Sequence, residues 1–574
     1  RDSFRFKRVE LPGTLLYDLF NEYYRMQNKH IFKKIDEKYH FSKVSFEKES
    51  FTTLVSELNY RDYFSEKIVE SGIRKAFKGN WGGASHTKRD GVVQDLNRLT
   101  YNSAISHLRK INLDMDASAK VVAPRHLHSS QWGIIDPLDT PDGGNVGLHK
   151  HMAIATFVTS GTSAVYMIEW LKSKENGINM KPLEFLLASE VSRKTKVFVN
   201  GRWVGIVDDP VNSMRILKTY RRNSLLPAHT SISWFVSENT IEIYTDSGRL
   251  CRPLFYIDNK RNASYNRTGI LKLIETNNAF TWSQLVGGFA EKNRPRANDY
   301  ECLSIGDLYN TDNMDDLFET QAVIEYIDTS EAETSLISMR HNTINEKPYT
   351  HLEIHASLAL GVMGNQVVFP ENNPLSRNLF ACGQMRQAVS LYHSNFPTRI
   401  DKMGVVLNNG QIPLVKSRYL KKINNEEHPY GENVVVAIMC YTGYNVEDSI
   451  LFNEGSVKRG LFRTTYYNSY EDREDSSKVG EAQVDSKFAS IENENVSGLK
   501  TGFDYGKLDK NGLIQENTMV DENTILIGKM STNLAEPDLS IDASVSPKKG
   551  QRGFVDKTFL TDGEEGFRTA KIRV

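Results

Sequence analysis

Cysteine is scarce in this sequence: Cys251, Cys302, Cys382 and Cys440 are the four among 574 residues, far apart and without a CxxC pair. That spacing offers no paired ligands for zinc, and four reduced thiols of an intracellular protein are expected. No run of about 18 apolar residues occurs, which excludes a membrane-spanning helix. No short apolar segment near the start reads as a signal peptide. Charge of one sign is lacking too, since 71 Lys and Arg face 72 Asp and Glu for a net of −1. The total therefore does not advertise a nucleic-acid binder. No repeat with a period of about 20–50 residues is visible. GxxxxGK[ST], HExxH, GxSxG and GxGxxG after a strand are all missing, which argues against a P-loop ATPase or a simple hydrolase.

What is present is an ordinary globular composition, 39% hydrophobic and 25% charged, long enough for several cores. The charge is unevenly placed. From Arg74 to Lys110 the basic residues are Arg74, Lys75, Lys78, Lys88, Arg89, Arg98, Arg109 and Lys110, against Asp90 and Asp95. Residues 312–333 and 471–475 are acidic. A machine with a basic channel and acidic outer faces has this distribution, and so do many enzymes.

Apolar residues at three-to-four spacing predict a helix over Leu11–Ile35, a second over Tyr63–Phe77 and a third over Gly91–Lys110. Gly79–Gly83 breaks the second, and the stretch from Leu113 to Leu148, dense in Pro and Gly, reads as loop. From about 155 to 345 the pattern turns to strands, with Asn200-Gly201 marking a tight hairpin and Ile241–Tyr244 a strand. Asn310–Asp316 and Asp328–Glu333 read as acidic loops. Beyond 350, short apolar strands such as Val434–Met439 alternate with glycine turns, and Ser469–Val496 reads as a polar surface excursion. The fold class is therefore mixed α/β and multidomain.

Phosphoryl chemistry needs no named signature where carboxylate-held magnesium and arginines neutralise the phosphates. Gly443–Ser449 follows the expected apolar strand and offers Glu447 and Asp448, hard oxygen ligands suited to magnesium. An Asp-Ser after a strand is also a common turn or helix cap. Asn373-Pro374-Leu375-Ser376-Arg377 places an arginine after a proline-fixed turn, and Arg386-Gln387 follows about two and a half helical turns later. The two arginines converge only if the chain bends, with Gly383 the expected place. Bidentate phosphate binding suits arginine; a helix cap with surface arginines gives the same pattern. Pro124–His128, Gln131-Trp132-Gly133 and Asp139–Leu148 fix a backbone path more than they supply chemistry.

Taken in order, these segments resemble the central part of the second-largest, beta-type subunit of multisubunit DNA-dependent RNA polymerases. Val9–Leu16 resembles the re-entry into that family's protrusion domain. Gly79–Gly82, Leu96–Tyr101 and Ser106–Arg109 resemble the fork, Pro124–Leu148 a Pro/Gly-rich family stretch, and His351–Val389 with Gly443–Leu461 the hybrid-binding domain. The resemblance implies a protrusion part at 1–48, fork at 49–150, two external domains at 151–230 and 231–345, a partial hybrid-binding (double-psi β-barrel) domain at 346–462, and wall at 463–574. It implies template-directed RNA synthesis from ribonucleoside triphosphates, as a DNA-directed RNA polymerase acting only in a complex.

By the same resemblance, Asp448, with Glu447 beside it, would sit by the second magnesium, the tightly held ion belonging to the largest subunit. Arg377 would contact the triphosphate, Arg386, Gln387 and Phe380 would lie near the nucleotide or RNA end, and Lys88, Arg89, Arg98 and Arg109 would contact nucleic-acid phosphates. Partners would be the largest and smaller polymerase subunits, template DNA, nascent RNA and ribonucleotides, with no membrane and no zinc in this stretch.

Asp139–His151 and Asn378–Gln384 look most like the polymerases of large nucleocytoplasmic DNA viruses, with the cellular enzymes next. Host cytoplasm, viral factory or virion would follow from the first, the nucleus from the second. Asp142 departs from the family's usual glutamate, and Phe380 from a frequent tyrosine. Opening at Arg1 and closing in Lys571–Val574, the chain is expected to be an internal fragment that lacks the family's later lysine-bearing segment and is inactive alone. The rival reading is a non-catalytic nucleic-acid-binding scaffold that keeps the fold.

Overall fold

The structure is a computed structural model describing residues 2–41, 54–55, 60–64, 66–174, 176–192, 194–276, 280–289, 314–424, 426–479, 482–491, 496–533, 540–563 and 566–574. Cys302, residues 310–313 and the expected boundary at 48/49 lie outside these. Two compact units form: residues 1–96 with 106–382, and residues 97–105 with 383–574.

In the first unit the expected amino-terminal helix runs Pro12–Phe41. It packs Leu19 and Tyr23 against Ala76 and Trp81, so that its apolar stripe meets the helix Ile68–Phe77. Their close approach depends on Gly72, where a Cβ would overlap the Tyr23 ring. Gly72→Ala is expected to destabilise this unit by about 1–3 kcal/mol through overpacking, read as a lower urea midpoint. Helix propensity alone would change stability by about 1 kcal/mol in the opposite direction, so the sign of the shift separates packing from propensity.

The third helix is shorter than its periodicity suggests, covering Tyr101–Leu108 and not Gly91–Lys110. Side chains set its start. Thr100 N–H donates to Ser103 Oγ at 2.9 Å and Ser103 N–H to Thr100 Oγ1 at 3.0 Å, a reciprocal cap that begins the helix there. Gly91, at φ +74°, lies upstream in a conformation no α-helix contains.

A five-stranded sheet follows in the order Lys181–Pro182, Arg202–Val207, Thr195–Val199, Thr240–Tyr244, Ser231–Phe235. Asn200 and Gly201 turn its hairpin at φ 48° and 78° as expected. Helices Val165–Lys172 and Pro210–Arg222 cover one face, with Trp170, Leu217, Ile232, Ile241 and Ile243 in the core. This one sheet spans the boundary expected at 230/231.

A second sheet runs Ile324–Asp328, Leu250–Tyr256, His351–Leu352, Ile337–Ser338, with Phe157–Val158 also on Leu250–Tyr256. Asp328–Glu333 is not the expected loop. Asp328 ends a strand and caps the helix Thr329–Glu333, its Oδ1 accepting from Glu331 N–H at 2.9 Å. Asp328 and Glu331 are buried and Glu333 is exposed, so this acidic run is only in part an outer face.

In the second unit one sheet runs Met403–Leu407, Thr464–Arg473, Arg568–Arg573, Lys557–Asp562. Another runs Asp475–Val479, Ala482–Phe488, Lys529–Asn533, Ser540–Asp542, Val496–Ser497. Ser469–Val496 is thus largely sheet, correcting the surface excursion its polarity suggests; residues 480–481 and 492–495 lie outside the described residues. Phe488 is buried with Leu526, Ile527 and Ile572, and Glu474 is held by Arg568, so alternate positions of these polar strands do face a core. Val434–Met439 goes the other way. It pairs with no strand among the described residues, and Val435 and Ile438 are fully exposed. An apolar run becomes a strand only where a neighbour takes its backbone hydrogen bonds.

Candidate functional site

Thr442, Gly443, Glu447 and Asp448 all have positive φ, at 50°, 77°, 57° and 64°. Left-handed backbone at a non-glycine residue costs roughly 1–2 kcal/mol, and here two such residues adjoin. Local hydrogen bonds hold the shape. Asn445 accepts from Tyr441 N–H at 3.1 Å and donates to Met439 C=O at 2.6 Å, while Ser449 donates to Tyr444 C=O at 3.1 Å and to Val446 C=O. The loop therefore presents Glu447 and Asp448 to solvent, and neither carries an ion pair among the described residues. Asn453 then caps the short helix Glu454–Lys458.

Arg377 and Phe380 share one face of the helix Leu375–Met385, with the guanidinium 5.5 Å from the ring centroid. Asn378 fixes which face is outward. Its buried amide donates to Pro370 C=O at 2.9 Å and accepts from Asn373 at 3.1 Å, leaving Arg377 exposed. Gly383 lies inside this helix, so the bend expected there is absent; an interior glycine costs about 1 kcal/mol but need not break the helix. Arg386 and Gln387 follow the helix end, in the second unit, with Gln387 exposed. Thr100 Oγ1 donates to Arg386 C=O at 3.2 Å, and Tyr101 stacks on His428 at 4.1 Å.

The four expected phosphate contacts divide. Lys88 is exposed and Arg98 half-buried. Arg89 is engaged by Glu10 through two hydrogen bonds of 2.7 and 3.1 Å. Arg109 donates to Ala153 C=O at 2.6 Å and Ile154 C=O at 3.4 Å, and burial lowers its pKa. Both guanidiniums already have partners within the fold, which sequence spacing does not reveal.

Loop 113–148 holds a backbone path, as its composition suggests. Arg125 donates to Ala117, Gly144 and Val146 carbonyls at 2.9, 2.5 and 3.1 Å. Buried Asp136 accepts from Leu138 N–H and Gly364 N–H, and burial pushes its carboxyl up to about 6.

One charged cluster has no signal in the sequence. Arg221, Arg222 and Lys218 surround Glu325, Glu331 and His351 in the core of the first unit. Arg221 reaches Glu331 at 2.7 Å and Glu325 at 3.0 Å, Arg222 reaches Glu325 at 2.8 Å, Lys218 reaches Glu331 at 3.3 Å, and His351 reaches Glu325 at 2.6 Å. Glu325, Glu331 and His351 are close enough to share a cation. The three basic side chains already occupy that role. Desolvation pushes the Glu325 carboxyl up, but Arg222 and Arg221 outweigh it and hold it well below the usual range.

RNA polymerase Rpb2 domain 6 matches residues 363–574, domain 4 residues 197–258 and domain 3 residues 94–158. All 574 residues align with subunit RPB2 of DNA-directed RNA polymerase II from Encephalitozoon cuniculi at 32% identity, covering 47% of that protein. Subunit 2 of the Arabidopsis thaliana enzyme is 33% identical over the whole chain and 46% of its own length. The chain is homologous to the second subunits of DNA-directed RNA polymerases. The homology extends to archaea, with subunit Rpo2 of Sulfolobus acidocaldarius 30% identical over the whole chain. The chain spans just under half the length of these relatives. Domain 6 contains Arg377, Phe380, Arg386, Gln387, Glu447 and Asp448; domain 3 contains Arg98 and Arg109.

Proposed function

We propose that this chain serves in the second-largest subunit of a DNA-directed RNA polymerase, which joins ribonucleotides in the order a DNA template dictates. The observation that carries this reading is end-to-end alignment with polymerase second subunits from eukaryotes and archaea. In the reaction the RNA 3′-oxygen forms a bond to the α-phosphorus of the nucleotide. The bond to the bridging oxygen breaks, and pyrophosphate leaves.

This chain's part is to bind and to balance charge. Exposed Arg377 offers a guanidinium to the triphosphate, and Phe380 lies beside it near the nucleotide. Arg386 and Gln387 contact the nucleotide or the RNA end. Glu447 and Asp448 are solvent-facing hard oxygen donors without an ion pair among the described residues, a donor set that fits magnesium. Magnesium, when bound, neutralises charge on the phosphate oxygens. Lys88 and Arg98 face nucleic-acid phosphates. The remaining polymerase subunits complete the active enzyme.

The finer divisions belong to the same proposal: protrusion, fork, external, hybrid-binding and wall domains in that order, and a source among large nucleocytoplasmic DNA viruses. The viral reading is supported by the Asp139–His151 and Asn378–Gln384 segments. A purely scaffolding relative would have no need of the exposed Arg377 and the acidic pair.

Arg377→Ala in the assembled enzyme is expected to raise the nucleotide concentration for half-maximal extension about tenfold, since one charged hydrogen-bond partner is lost. Nucleotide titration of single-turnover extension measures this. An unchanged concentration would remove Arg377 from the substrate site.

A further inference from the structure

Asp136 is buried, 4% exposed, and its carboxylate has no ion pair among the described residues. Backbone N–H groups satisfy it instead. Oδ1 accepts from Leu138 N–H at 3.0 Å, Oδ2 accepts from Gly364 N–H at 3.2 Å, and Gly361 N–H donates to the same group. The nearest charge, Asp139, is of the same sign. A carboxylate taken out of water without a cation is costly, so these fixed donors are what keep it there.

The two glycines owe their identity to this carboxylate. A Cβ at Gly361 would stand 2.7 Å from Oδ2, and one at Gly364 would stand 2.6 Å from Oδ2 and 2.9 Å from Oδ1. Neither has the positive φ that would otherwise call for glycine. The same stretch is tied down at its side, where Ile154 N–H donates to Leu360 C=O at 2.9 Å and Gly361 bridges to Ala153.

This anchor lies just ahead of Arg377. Gly364 opens the tight turn Gly364–Gln366, and the carboxylate meets its first N–H. Asn365 and Gln366 are buried, whereas Val368 and Phe369 are exposed. Pro370 C=O then accepts from the Asn378 amide at 2.9 Å, the contact that leaves Arg377 outward. A short surface strap therefore joins a buried, charged anchor to the helix Leu375–Met385.

We propose that Asp136 is a positioning residue for Arg377, holding the turn at Gly364 so that the helix presents its guanidinium to the triphosphate. The inference rests on the polymerase reading and deepens it, since Asp136 itself touches no substrate.

The test is nucleotide titration of single-turnover primer extension by the assembled enzyme, carrying Asp136→Asn, Arg377→Ala or both. Asp136→Asn keeps the side chain's shape and gives up one acceptor. It is expected to raise the half-maximal nucleotide concentration about fivefold, the scale of one hydrogen bond, with the rate at saturating nucleotide unchanged. The double variant is expected to need no more nucleotide than Arg377→Ala alone, because no guanidinium remains to be placed. Should Asp136→Asn fail to assemble, Asp136→Ala/Gly364→Ala takes its place with the same expectations, the added methyl entering space the carboxylate leaves. Failure of both to assemble overturns the proposal, making Asp136 a folding residue only. A lower saturating rate with unchanged nucleotide dependence, or increases that multiply in the double variant, overturns it and leaves the polymerase reading standing. Unchanged nucleotide dependence in Asp136→Asn beside a raised one in Arg377→Ala does the same. No primer extension by the assembled wild type overturns the polymerase reading and this inference with it.

Discussion

Arg221→Ala is expected to destabilise the first unit by about 3–5 kcal/mol, because it strands buried carboxylates that Arg221 now satisfies. The guanidinium is 1% exposed and touches Glu325 and Glu331, which are 2% and 0% exposed. Lys218 still reaches Glu331 after the change, at one oxygen, and Arg222 and His351 still hold Glu325. The main penalty therefore falls on Glu331. Arg221→Met/Glu331→Leu is expected to recover much of the loss, since removing both charges leaves no unpaired ion and Lys218 can turn to solvent. Both carboxylates are held below their ordinary value of 4.5. Their contribution is fully present above that value and is lost as pH falls through the lower folded one. Urea unfolding at neutral pH tests the pair, and a loss under about 1 kcal/mol for Arg221→Ala would contradict the account.

Asp448→Ala in the assembled enzyme is expected to slow nucleotide addition on the order of a hundredfold, the scale of losing one preorganised charge-stabilising group. The loop itself is expected to survive. Its fastenings run through Asn445 and Ser449, and the Asp448 side chain takes no part in them among the described residues. Alanine in the left-handed region costs roughly 1–2 kcal/mol, comparable to the strain the aspartate already bears. A fall in rate with normal subunit assembly would therefore report chemistry at the carboxylate. Higher magnesium is expected to restore part of the rate, because a weakened ligand set still binds at higher ion concentration.

Where a pattern carried its own explanation, the sequence was readable. The stripe Leu15, Leu19, Tyr23 foretold the long helix, and Asn200-Gly201 foretold the hairpin, because each depends on neighbours only a few residues away. The strands Thr464–Arg473 and Ala482–Phe488 were hidden because their residues are mostly polar, and their core contacts come from residues 513–572. Val434–Met439 misled for the converse reason, being apolar without a pairing strand. Arg377, Phe380, Glu447 and Asp448 were legible as residue types on turns and helix ends. Their presentation was not: it depends on Asn378 beneath one and on the left-handed backbone of the other. The partners of Arg89 and Arg109 are not legible because Glu10 and the carbonyls of Ala153 and Ile154 lie tens of residues away in the chain.

Single-nucleotide extension of an RNA primer on a DNA template, with wild type beside Asp448→Ala in the assembled enzyme, tests the central claim most directly. The account predicts addition of the templated nucleotide by the wild type and on the order of a hundredfold slower addition by a variant complex that assembles normally. Equal rates from the two complexes would contradict the place given to Asp448 in nucleotide addition.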